Sequence, residues 1–141
     1  MATFTKLDCF TEYLAEGIHN MSANTLKFAL SNTAPTANNS ILSNITQITA
    51  ENGYTAGGKQ ATLTSSVQTA GVYKLIVGDV VFTANGGSVG PLRYVVFYDD
   101  TPTAPVDPLI AWFDYGSSIT LLTGETLTVD ADASAGILTI T

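Results

Sequence analysis

The stretch Leu92-Arg93-Tyr94-Val95-Val96-Phe97-Tyr98 decides the class of fold. Its β-branched and aromatic residues, bounded by Gly90-Pro91 and Asp99-Asp100, read as a strand. Side chains alternate along a strand, so Leu92, Tyr94, Val96 and Tyr98 are expected on one face and Val95 and Phe97 on the other. A second stretch, Leu109-Ile110-Ala111-Trp112-Phe113, repeats the pattern, with Ile110 and Trp112 opposing Leu109 and Phe113. Antiparallel sandwich strands usually wet one face; here both faces are apolar. Something must cover the second. The N-terminal helix is the expected cover, with the excursion over residues 31–60 or another subunit as alternatives. In the subunit reading, Tyr94, Val96, Tyr98, Ile110 and Trp112 are the candidate interface residues. Left bare, residues 94–98 form a β-prone segment that invites aggregation.

Outward from these two stretches, residues 61–141 read as a succession of strands. The candidates are 61–67, 72–77, 80–84, 92–98, 109–115, 119–122, 126–130 and 137–141. Gly71, Gly78-Asp79, Asn85-Gly86-Gly87, Gly116, Gly124 and Gly136 separate them. Short strands with glycine turns at this spacing predict an antiparallel β-sandwich or a jelly-roll-like barrel.

The N-terminal side differs. Leu7, Phe10, Leu14, Ile18 and Met21 recur at intervals of three and four, the mark of one helical stripe. Thr5 with Asp8 resembles a capping box. These features predict a helix over residues 6–19, with Asn20 as its stop. Leu26, Phe28 and Leu30 then alternate with Thr25, Lys27 and Ala29, which is a half-buried strand. Residues 31–60, rich in Asn, Pro and Gly, read as a long surface excursion; a loop of that length is functional or docked. The whole, residues 1–141, reads as a single mainly β domain with one N-terminal α-helix.

Composition narrows the chemistry. Charged residues make up 12% of the 141, roughly half the usual 25%. Threonine, at twenty-one residues, fills part of the gap. The net charge is −7 with only five Lys plus Arg, too few for a basic stripe that could neutralise several phosphates. No nucleic-acid partner is expected. One Cys excludes an internal disulfide, and one Cys with one His cannot complete a four-ligand zinc site. No apolar run reaches the length of about 18 residues needed for a membrane helix, and residues 1–10 do not read as a secretory signal. No membrane partner is expected, and synthesis in a cytoplasm is.

The remaining motifs are weak in chemistry. Gly86-Gly87-Ser88-Val89-Gly90 lacks the Lys-Ser/Thr and following helix of a phosphate loop, so it reads as a turn. Asp99, Asp100 and Asp107, and the pair Asp130 and Asp132, could serve as acid and base or hold calcium. Turn chemistry is the simpler reading, because Asp side chains bond nearby amides. His19 near a helix C-terminus suits the macrodipole. Cys9 has no basic neighbour except Lys6, and nothing suggests an activated thiol. Trp112 reads as core, with a sugar-stacking platform beside Tyr94, Tyr98 and Tyr115 as the alternative. No catalytic, cofactor-binding or metal-ligating set is expected, and no cofactor.

Seven stretches carry a likeness of another kind. They are Lys6-Leu7-Asp8-Cys9-Phe10, Leu14-Ala15-Glu16-Gly17-Ile18-His19-Asn20, Thr25-Leu26-Lys27 with Ala29-Leu30-Ser31-Asn32-Thr33-Ala34-Pro35, and Asn52-Gly53-Tyr54-Thr55-Ala56-Gly57-Gly58. The others are Gly86-Gly87-Ser88-Val89-Gly90-Pro91-Leu92-Arg93-Tyr94 and Asp107-Pro108-Leu109-Ile110-Ala111-Trp112-Phe113-Asp114-Tyr115-Gly116. Together they resemble a family of small virion structural proteins encoded in the head and tail gene modules of tailed bacteriophages. The resemblance covers most of the chain and brings no catalytic motif. It implies a non-enzymatic virion protein assembled in the host bacterial cytoplasm. A capsid decoration or cement protein is the leading expectation. Its partners would be the major capsid protein and copies of itself, as a trimer if it occupies local threefold positions. A tail, fibre or head-fibre component touching the host surface is the alternative. A carbohydrate-binding β-sandwich, with a host-surface glycan as partner, is the second.

Overall fold

The computed structural model describes residues 3–141. In chain order the elements are β1 (Thr3–Lys6), α1 (Asp8–Ala15), β2 (Leu26–Ser31), a short 3₁₀ turn (Leu42–Asn44), β3 (Lys59–Ala61) and β4 (Leu63–Thr69). They continue with β5 (Val72–Val77), β6 (Val80–Thr83), β7 (Val89–Asp99), β8 (Leu109–Leu121), β9 (Thr126–Val129) and β10 (Leu138–Ile140). The protein is mainly β, an antiparallel sandwich with one helix, as the alternation predicts. One layer is a five-stranded sheet ordered β1-β8-β7-β2-β3. The other is split into a three-stranded sheet, β10-β5-β4, and a two-stranded ribbon, β6-β9.

The main core lies between the layers. Phe28, Val95, Phe97 and Ala111 project from the large sheet onto Leu75, Val77, Phe82 and Leu127 from the split layer. Phe28 and Phe97, directly opposed on neighbouring strands, stack at 4.9 Å. A second cluster sits on the outer face of the same sheet: Leu7, Ala29, Leu42, Ile45, Val96, Tyr98 and Leu109. The apolar run at residues 92–98 is therefore explained by a sheet that is buried on both sides.

The cover on the outer face is the excursion after β2, which supplies Leu42 and Ile45. The start of the N-terminal segment shares in this cover, through Leu7 and through Cys9 of α1, while α1 also sends Phe10 into the main core. The excursion is held by main-chain bonds from Leu42 N to Asp107 O (2.9 Å), Leu109 N to Ser40 O (2.9 Å) and Ile48 N to Leu30 O (3.0 Å). Tyr54 fastens its far end: Leu30 N donates to the Tyr54 hydroxyl, which donates to Gln47 Oε1 at 2.7 Å. Such a segment is docked rather than free, because its polar groups are satisfied against the body of the fold.

Four boundaries depart from expectation, the first at β7, which begins at Val89 rather than Leu92 and so draws Val89 and Gly90 out of the expected glycine turn. The helix spans eight residues rather than residues 6–19. Lys6 belongs to β1, and Leu7 is extended with no side-chain cap, so the Thr5–Asp8 box does not form. Past Ala15, Gly17 takes a left-handed φ of 75° and ends the turn. Leu7 and Phe10, expected on one stripe, go to the outer and main clusters respectively. The strands expected at 109–115 and 119–122 are one strand, β8, which runs through Gly116 at φ 103°. Conversely, the single strand expected at 61–67 is divided between β3 and β4.

Candidate functional site

The five residues proposed for a subunit contact do not form one exposed face. The β7–β8 ladder pairs Phe97 with Ala111 but then Tyr98 with Leu109, so one residue is extra at Ile110. This bulge returns Leu109 to the outer cluster and puts Ile110 in the main core. Strict alternation fails there, and the grouping of Ile110 with Trp112 is corrected. A second irregularity, between Leu92 and Tyr94, likewise places Leu92 in the main core. Val96, Tyr98 and Ile110 are fully enclosed within the chain, at 0%, 1% and 0% exposure. They have no surface left to offer a partner. Trp112 remains half-buried beside Tyr94, edge to face at 5.5 Å, and Arg93 lies over the Tyr94 ring at 5.4 Å.

Asp99 ends β7 inside the protein. His19 Nδ1 lies 3.0 Å from its Oδ2, and both side chains are inaccessible to solvent. Asn24 Nδ2 donates to the same oxygen at 2.8 Å, and Thr101 N donates to Oδ1 at 3.2 Å. The imidazole packs between Phe10 and Tyr13, and its Nε2 is buried without a partner. This network ties the segment after α1 to the end of the central strand. His19 is thus a structural residue, through a buried hydrogen bond to Asp99 rather than through a helix terminus.

The other acids divide by role. Asp100 pairs with Lys27 at 2.8 Å. Burial, and then the neighbouring Asp100 carboxylate, push the Asp107 carboxyl above its ordinary value; its backbone is left-handed, at φ 50°. Asp132 Oδ1 accepts from Ser134 N (2.9 Å) and Ala135 N (3.0 Å), and these bonds hold its carboxyl below the usual range. Asp130 Oδ1 accepts from Asp132 N at 3.1 Å. These are turn-forming contacts of the expected kind. Among the described residues, no three His, Cys, Asp or Glu side chains converge as a metal-ligand set. Burial pushes the Cys9 thiol up; its Sγ faces the Leu109 carbonyl at 3.5 Å.

The glycine turn at residues 86–88 is clasped by the excursion. Asn52 Nδ2 donates to Ser88 O at 2.9 Å, while Asn85 N donates to Asn52 O at 2.7 Å. Gly87 lies against the Asn52 amide, where a Cβ would collide. The site is a packing joint and holds no anion-binding helix terminus.

One concavity was not anticipated. A cavity of about 550 Å³ opens where the split layer meets β1, walled by Phe4, Val95 and Phe113 on one side and Leu127, Val129 and Ile137 on the other. Phe4 and Tyr115 line it while remaining 36% and 52% exposed. The volume lies within the range of about 300–1,000 Å³ typical of binding pockets. The signal for β1 in the sequence is only four residues long, and the helical stripe beginning at Leu7 obscures it.

No family model matches this chain, and neither does any curated protein or solved structure.

Proposed function

We propose that this chain is a non-enzymatic structural protein of a tailed-bacteriophage virion, acting as a capsid decoration or cement protein. One observation carries the reading. The stretches that bear the resemblance all lie in the five-stranded sheet or are bonded directly to it. Lys6–Phe10 leaves β1, Thr25–Pro35 contains β2, Gly86–Tyr94 enters β7 and Asp107–Gly116 begins β8. His19 of the second stretch bonds Asp99 at the end of β7, and Gly57 O accepts from the Tyr98 hydroxyl at 2.6 Å. The likeness thus follows the framework of a whole domain rather than scattered surface motifs.

Two further properties suit a part made soluble and then added to a lattice. The net charge of −7 opposes self-precipitation before assembly. One of the two edge strands of the three-stranded sheet, β4, is a largely exposed Leu-Thr-Ser-Ser-Val-Gln-Thr run without charge, so neighbouring subunits can approach it without like-charge repulsion. The partners proposed are the major capsid protein and further copies of this chain, with a trimer as the arrangement at local threefold positions. Heads prepared without the protein should lose resistance to heat or chelation and regain it on adding the purified chain. Unchanged resistance, or localisation to tails alone, overturns the decoration role.

A tail or fibre role at the host surface has one observation in its favour. The Trp112–Tyr94 pair is incompletely covered and flanked by Arg93, a combination suited to stacking on a sugar. Binding of the purified chain to host cells or glycans, lost in Trp112→Ala, would favour it over decoration.

A further inference from the structure

The cavity beside β1 has an unusual border. β1 is the last strand of the five-stranded sheet and pairs with β8 alone; β9 is half of a ribbon and pairs with β6 alone, among the described residues. Each therefore keeps one edge of main-chain N–H and C=O groups outside any ladder. Residues from Leu127 to Asp132 line the cavity consecutively. Asp130–Asp132 lie beyond the strand, but Leu127, Thr128 and Val129 belong to β9, and side chains of a strand alternate between faces, so three in a row at the opening place the backbone of β9 on its border. The walls are apolar, and the charged residues among them are Asp130 and Asp132, with no Lys or Arg.

We propose that this groove receives an extended segment of another protein, which adds to the exposed edge as a strand. Its alternate apolar side chains fill the space between Phe4 and Leu127, and a lysine or arginine at its end meets Asp130 and Asp132. Main-chain bonds supply affinity in this mode of recognition, and pockets for every second side chain supply specificity. β1 and β9 have four residues each, so the docked portion is about 13 Å long at roughly 3.3 Å per residue. The charge of the groove selects a basic partner. A second copy of this chain fits poorly, because it carries −7 and its cationic side chains are already engaged. Lys27 and Arg93 pair with Asp100 and Asp114, Lys6 donates to Thr11, and Lys59 and Lys74 donate to the carbonyls of Val81 and Ser134. The inference rests on the geometry of the groove and holds whether or not the protein resides in a virion.

The test uses the full chain and three capped synthetic heptapeptides: Lys-Val-Thr-Val-Thr-Val-Lys, the same sequence with Glu at both ends, and the lysine form with proline at its centre. Binding is measured by calorimetry at low salt, and the bound region by amide hydrogen exchange. The lysine peptide should bind and slow exchange in Thr126–Val129. The glutamate form should bind about tenfold more weakly or worse, and the proline form should not bind. Asp130→Lys should reverse the charge preference in a chain that still unfolds in one cooperative thermal transition. Failure of the lysine peptide to bind overturns the proposal. So does equal binding of the proline form, which would indicate an apolar small-molecule pocket, or protection of Thr126–Val129 by self-association without peptide.

Discussion

The imidazole Nδ1 of His19 stands 3.0 Å from a carboxylate oxygen of Asp99, and neither side chain reaches solvent. Eighty residues separate them in sequence. Asp99 also receives Asn24 and the Thr101 amide, so removing its carboxylate takes an acceptor from three donors, one of them the fully buried imidazole. Leaving a buried donor unsatisfied costs about 1–3 kcal/mol, and more where the lost acceptor is charged. Asp99→Ala should lower the unfolding free energy by that order in urea. A loss below about 1 kcal/mol would show that the pair does not organise this end of the sandwich.

Leu42 is the centre of the outer cover, resting with Ile45 on Val96, Tyr98 and Leu109. Leu42→Ala should destabilise by about 2–5 kcal/mol, the range for large-to-small changes in a core. Trp112, the only tryptophan, packs against this cluster and reports on it directly. Its emission should shift to the red and become more accessible to acrylamide. Unaltered quenching would mean that the excursion does not shield the sheet.

Gly58 has a left-handed φ of 74°, and a Cβ there would run into the carbonyl oxygen of Phe28. Both the strained conformation and the collision with main chain oppose any side chain. Gly58→Ala should cost about 3 kcal/mol or more, seen as a lower Tm. Gly71 has a similar φ of 83° but open space around it, so Gly71→Ala should lose distinctly less. Equal losses would refute the close approach of β2 and the turn before β3.

Asp107 predicts a pH dependence. Its carboxyl is raised by burial and by Asp100, so the protonated form is favoured in the folded state. The stability this contributes is complete below the unfolded value, near 3.8, and is lost as pH rises through the higher folded value. Asp107→Asn stays uncharged and tolerates the left-handed backbone. Its Tm should match the parent at acid pH and exceed it by a few degrees near neutrality. A gap that narrows as pH rises would contradict the assigned repulsion.

The period-two pattern was enough to read the sandwich, because burial of a sheet imposes alternation directly on sequence. β5 was legible to the residue, at Val72–Val77, since glycines bound it on both sides. The two apolar faces of β7 were legible as well, along with the need for a cover. The cover was legible only as a set of alternatives, helix, excursion or another subunit: Leu42 and Ile45 lie in a polar, Asn-rich stretch without periodicity, and their burial depends on long-range main-chain bonds. The bulge at Ile110 was equally hidden, because an extra residue in a ladder leaves no compositional mark. The His19–Asp99 pair escaped for a related reason, as two separately unremarkable residues become a unit only after folding.

The central claim concerns where this protein works, and an averaged electron cryo-microscopy image of the intact particle tests it most directly. The account predicts sandwich-shaped density at regularly repeated positions on the outside of the head, into which the five-stranded sheet and split second layer fit. Particles in which such density is absent, with the chain missing from their purified protein complement, would contradict it.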